Sequence, residues 1–167
     1  RTNLEHVYAV GDVVESPLTE SERKFQGTMA ASKVFGLQDT EQLSDSYPIG
    51  VYTLPEAGAY GHTEADAKLH NIRYVVGRAE YANSPYGRNA DTGTGFLKIL
   101  VNIDTEEIIG VHVVGRFAHE VAHFAILLVE AHVPVGKLTG TVFNGSTVQE
   151  LYHFAAIDAW TKLRSKT

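Results

Sequence analysis

Two segments, residues 96–103 and 108–114, are rich in branched side chains and joined only by Asp104-Thr105-Glu106-Glu107, a spacing that predicts an antiparallel hairpin. Along the first, Leu97, Ile99 and Val101 alternate with Lys98 and Asn102. One face of the sheet is therefore apolar and needs cover, while the other is wet. Cover follows at helical spacing. Val121, Phe124, Ala125 and Leu128 share a stripe of a helix expected over 117–130. Val148, Leu151, Tyr152, Ala155, Ala159, Trp160 and Leu163 share another over 147–163, with Thr147 as N-cap and Glu150 three residues on. The pattern predicts an α+β fold, an antiparallel sheet with helices on one side. Tyr152 and Trp160 carry polar handles beside this stripe, which favours a rim or a subunit contact.

Upstream, residues 72–81 read as a further strand and 49–54 as a strand closed by Pro55. Thr63 caps a short helix with Asp66 at its third position. Residues 7–10 read as a short buried strand ended by Gly11-Asp12, and 16–36 as a helix after Pro17 and Leu18, with Thr19 and Glu22 forming a capping box. Its apolar positions Phe25, Met29, Val34 and Phe35 are too sparse to close a core with one strand. Residues 1–36 thus read as the end of something larger, and polar 38–47 as a linker.

With 167 residues, 44% of them apolar, the chain can close one core without staples. A net charge of -6 with no basic run argues against nucleic acid as a partner. The absence of cysteine removes disulfides and thiolate chemistry and fits a cytoplasmic setting. No apolar run has the length of a membrane span, since 121–129 is broken by His123, so no membrane partner is expected. Arg1 does not open a cleavable leader, and the lack of an initial Met predicts a fragment or processed product.

His119-Glu120-Val121-Ala122-His123 satisfies HExxH on an expected helix, where two histidines four apart can ligate zinc while the glutamate polarises water. A third ligand would have to be Glu130 or Glu150, since Ile126 and Val129 stand at the compact spacings. The plainer reading is a pair of surface or interface histidines. Gly93-Thr94-Gly95 precedes a strand and reads as a turn rather than a phosphate cradle. Asp91, Asp104, Glu106 and Glu107 read as a solvated rim, and Ser146 as part of a helix cap. Asp12, between a strand and a helix, suits either a turn or a ligand hydroxyl.

Several separated motifs then occur in order: residues 7–13 (VYAVGDV), Thr53-Leu54-Pro55-Glu56, Gly61-His62-Thr63-Glu64, residues 95–100 (GFLKIL), Ile109-Gly110-Val111-His112 with Gly115, the helix with Glu120, and the final helix. Together they resemble the C-terminal part of the flavin-dependent pyridine nucleotide-disulfide oxidoreductases. Thr141-Val142-Phe143-Asn144, Thr147, Glu150, Tyr152 and Ala155-Ala156 are similar to the transhydrogenase branch of that family. The resemblance implies that 1–43 is the last piece of an FAD-binding domain and 44–167 an interface domain that holds a homodimer. Asp12, with Gly11, would meet the flavin's ribityl chain, although Glu22 and Arg23 stand where the family turns small or apolar residues to the flavin. Phe143, Asn144, Gly145 and Glu150 would edge the active site of the dimer. The family's thiol chemistry pairs a histidine with a glutamate at the positions of Gly145 and Glu150, and glycine cannot exchange a proton. The implied reaction is hydride passage from NADPH to NAD through FAD. The dinucleotide fingerprint, the redox cysteines and the NAD(P)-binding domain lie outside these residues, so the chain alone is expected to be inactive. A non-catalytic dimerisation module and an HExxH zinc hydrolase are the competing expectations.

Overall fold

The computed structural model describes residues 1–14, 19–37, 47–90 and 93–165. They divide into two units, Arg1–Tyr47 and Pro48–Thr167. In the first, the Glu22 amide donates to the Thr19 hydroxyl and the Glu22 carboxylate receives the Thr19 amide, the expected reciprocal cap. Helix α1 therefore runs over Glu20–Phe35 and stops at Gly36, whose φ of 63° favours glycine. The strand expected at 7–10 does not form. Among the described residues of this unit there is no second strand to pair with, and the backbone instead closes locally, the Thr2 amide donating to the Val7 carbonyl at 3.0 Å. One 3-10 turn follows at Gly11–Val13. The expected helix start at Ser16, Pro17 and Leu18, the linker residues 38–46, and Asp91 lie outside the described residues.

The second unit holds β1 (Ile49–Val51), β2 (Ala57–Gly61), α2 (Glu64–Leu69), β3 (Tyr74–Glu80), α3 (Pro85–Asn89), β4 (Phe96–Asn102), β5 (Ile108–Val114), α4 (Ala118–Glu130), α5 (Val135–Thr139) and α6 (Glu150–Arg164). The strands form one antiparallel sheet in the order β1-β2-β5-β4-β3. The predicted hairpin is β4-β5, with Leu97 opposite Val113 and Ile99 opposite Val111. The strand expected over 49–54 stops at Val51, and β2 is an addition that its Ala-Gly composition did not announce.

Leu97, Ile99, Val101, Val111 and Val113 are buried beneath α4 and α6, α4 lying over β2 and β5 and α6 over β3 and β4. Full burial of each such side chain contributes about 1.5–3 kcal/mol. The helices come close because glycine faces alanine. A Cβ on Gly58 would stand 2.5 Å from the Ala118 carbonyl oxygen and 2.8 Å from the Ala122 methyl. One on Gly77 would overlap the Ala155 carbonyl and stand 2.6 Å from the Ala159 methyl. Tyr152, expected at a rim, is instead fully buried, because its hydroxyl finds the Val121 carbonyl at 2.6 Å within the core. Burial pushes that phenol well above its ordinary value. Trp160 is half-buried, with the Arg164 guanidinium 4.1 Å from its ring centroid.

The opposite face is not simply wet. Helix α2 lies there, capped reciprocally by Thr63 and Asp66 as expected. Glu64 receives the Lys98 ammonium at 2.8 Å and the Tyr74 hydroxyl at 3.3 Å, and Ala67 is fully buried. The Lys98 hydrogen bond holds the Glu64 carboxyl below the usual range. At the outer edge of the sheet, the Arg78 amide of β3 donates to Asp158 at 2.9 Å and Lys162 donates to the Val76 carbonyl at 2.9 Å, so α6 occupies hydrogen-bonding groups that another strand would need. No helix among the described residues is long and apolar enough to cross a membrane.

Candidate functional site

Phe143, Asn144, Gly145 and Glu150 come together where the segment after α5 turns into α6. The capping box expected at Thr147 and Glu150 is not made. The Thr147 hydroxyl donates to the Asn144 carbonyl at 2.8 Å, and the Glu150 carboxylate receives the Ser146 amide at 3.1 Å. The cause is Ser146, whose φ of 60° reverses the chain and brings its own amide under Glu150. Helix α6 thus begins at Glu150 without a side-chain cap. A cavity of about 300 Å³ opens beside this turn, lined by Thr139, Thr141, Val142, Phe143, Glu150 and His153. His153 was not singled out from the sequence, yet its place one helical turn after Glu150 is the signal that puts both on one face. Its Nδ1 lies 3.1 Å from the Leu138 carbonyl, and Gly145 has open space where a side chain would stand.

In the first unit, the Asp12 carboxylate is half-exposed and its Oδ1 accepts from Arg23 Nε at 2.9 Å. The Gly11 amide donates to Gln26 at 2.7 Å, and its φ of 78° is a left-handed backbone that favours glycine. The charged Arg23 therefore holds Asp12 rather than an apolar surface. The second oxygen of Asp12 has no hydrogen-bond partner among the described residues and can accept one.

The HExxH residues serve other ends. His119 packs beneath β1, its Nδ1 3.0 Å from Glu56 and its ring stacked on Tyr52 at 3.8 Å. His123 is turned to solvent, with Nδ1 2.8 Å from the His119 carbonyl, and Glu120 is exposed. Among the described residues no three His, Cys, Asp or Glu side chains gather to hold a metal. His119 thus belongs to the sheet contact and His123 to the surface. In the hairpin turn Asp104 pairs with Arg73, and Gly95 enters β4 at φ 136°, as a turn glycine.

Helix α4 sets Glu120, His123 and Glu130 toward solvent, yet it also carries large apolar side chains outside its core face. Ala118, Val121, Ala122, Ala125 and Leu128 face the core, while Phe117, Phe124 and Leu127 face outward. Phe124, expected in the core stripe, lies at its margin with an edge-on contact to Tyr152 at 5.0 Å. Leu127 is 68% exposed. Phe117 caps the helix with a left-handed backbone, φ 63°, and is 43% exposed.

Residues 47–156 match the family model described as pyridine nucleotide-disulphide oxidoreductase, dimerisation domain. A soluble pyridine nucleotide transhydrogenase of Mycobacterium tuberculosis is 35% identical over 165 residues, which cover 99% of this chain and 35% of that protein. One from Vibrio atlanticus is 34% identical over 166 residues, 98% of this chain and 36% of its own length. The chain thus spans about a third of the length of these relatives. Among solved structures, LpdA of Mycobacterium tuberculosis superposes with a TM-score of 0.78 at 21% identity, over 90% of this chain and 33% of that one. The copper complex of the HOCl-induced flavoprotein disulfide reductase RclA of Escherichia coli gives 0.80 at 19% identity, over 94% and 36%. These two likenesses concern the fold.

Proposed function

Because the chain belongs to the pyridine nucleotide-disulphide oxidoreductase dimerisation-domain family, we propose that it is the subunit-joining tail of a flavin-dependent NAD(P) oxidoreductase of the transhydrogenase kind. The observation that carries the reading is α4, a helix with apolar side chains on its outer as well as its inner face. The exposed Phe117, Phe124 and Leu127 form an apolar patch on that outer side that a partner can cover. A second copy of the chain supplies the cover, with residues 44–167 as the interface domain and 1–43 as the end of the FAD-binding domain.

In the whole homodimer, Asp12 would accept a hydroxyl of the flavin's ribityl chain and Gly11 would let the cofactor approach its backbone. Bound flavin supplies the two-electron relay by which NADPH reduces NAD. Phe143, Asn144, Gly145 and Glu150 would edge the partner's active site, shaping it and excluding water. Gly145 holds no proton to exchange, which favours hydride traffic over thiol chemistry.

Sedimentation velocity on the chain tests the self-association. A dimer is expected at micromolar concentration, and Leu127→Arg should yield monomer with an unchanged circular dichroism spectrum. A wild-type chain that stays monomeric throughout the micromolar range overturns it. In the full-length protein, Asp12→Ala should weaken flavin retention about tenfold or more, read from absorbance after gel filtration. A full-length protein that carries no flavin when FAD is supplied removes the enzymatic part of the reading.

A further inference from the structure

The register of the sheet sets a row across its second face. Arg78 stands opposite Lys98, Lys98 opposite His112, and His112 opposite Ala59. Side chains paired in this way project together, and like charges there repel. Arg78 has Glu80 at 2.5 Å and the Phe96 ring at 3.9 Å, and Lys98 has Glu64 of α2 at 2.8 Å. His112 has neither. Both of its ring nitrogens are shielded from solvent and lack a hydrogen-bond partner. A neutral imidazole always carries one N–H, so an unpaired donor is kept in this space.

The charged groups that face His112 are Lys98 from β4 and Glu64 and Asp66 from α2, while β2 presents only Ala59. Glu64 is taken by Lys98 and Tyr74, and Asp66 by the amide and hydroxyl of Thr63. Neither carboxylate hydrogen-bonds the ring, so their attraction for a protonated His112 acts only through space, against Lys98 and the cost of burial. We propose that His112 makes α2 an acid-released latch: a proton on the ring adds a third cation beside Lys98 and Arg78, and α2 lifts so that water can reach it. Of the elements around the ring, α2 is the one that yields. It has six residues, too few to persist alone, whereas β4 and β5 are held by the core on their other face.

Burial first, and Lys98 second, hold the imidazole below its ordinary value. With α2 lifted, the ring takes its proton near pH ~6.5. With α2 closed it takes one only at lower pH. The latch is therefore fully effective above about pH 6.5 and loses up to about tenfold in closed-to-open ratio per pH unit as pH falls through the window down to the depressed value.

Hydrogen exchange on the complete 167-residue chain, followed from about pH 7.5 to about pH 5 and expressed as protection factors, reads this directly. The Ala67 and His70 amides should lose protection by up to about tenfold per pH unit in the window, while those of Ile99 and Val111 keep theirs. His112→Leu should flatten the response, and His62→Asn or His70→Asn should leave it as in the wild type. Equal loss in His112→Leu, or no loss in the wild type, overturns the latch. Should His112→Leu fail to fold, the His112 Cε1 resonance of the unsubstituted chain decides. A titration that shares its midpoint with the loss of α2 protection supports the latch, and one at the ordinary value with α2 intact refutes it.

Discussion

A methyl group on Gly77 would overlap the Ala155 carbonyl oxygen, so α6 lies on β3 only because that residue has no side chain. Gly77→Ala should therefore force the helix outward and lower stability by about 1–3 kcal/mol in urea denaturation. Gly145→Ala, with open space around it, should stay within about 0.5 kcal/mol. At this scale the sequence was a partial guide. Leu97, Ile99 and Val101 announced their burial by alternation. Tyr152 did not, because its hydroxyl partner, the Val121 carbonyl, lies 31 residues away in the chain. His119's place could not be read from the sequence either, since its partner Glu56 and stacking partner Tyr52 are distant in the chain.

Elements were legible where their ends are decided locally. The caps of α1 and α2 join residues three apart and could be read directly. The start of α6 could not, since the left-handed Ser146 redirects Glu150 from Thr147 to the Ser146 amide. Strand β2 escaped notice because alanine and glycine are chosen there for closeness to α4 rather than for strand preference. The outer edge of β3 is an element-scale device, with Asp158 and Lys162 occupying an amide and a carbonyl that a foreign strand would otherwise pair. Replacing both by alanine should cost about 1–2 kcal/mol and increase light scattering on concentration, as the exposed edge recruits other chains. A double variant that scatters no more than the wild type would remove the protective role.

For the molecule as a whole, order along the chain was more informative than any single motif. The residues of the turn at 143–150 assemble locally, so sequence order brings them together, while the cavity beside them also needs His153 and the end of α5. Periodicity identified the core stripe of α4 but placed Phe124 within it, whereas Phe124 lies at the margin, with Phe117 and Leu127 outside the core face. Phe117 carries a further consequence. Its left-handed backbone costs an L-residue on the order of 1 kcal/mol, a strain that glycine would not bear. Phe117→Gly should accordingly raise the urea midpoint when measured at concentrations too low for association, and should weaken association when sedimentation is run at higher ones. A lone subunit would be sturdier without this ring. On the proposed self-association, the position sets the durability of one subunit against the adhesion of two, and substitutions that improve the solitary chain here are expected to loosen the pair.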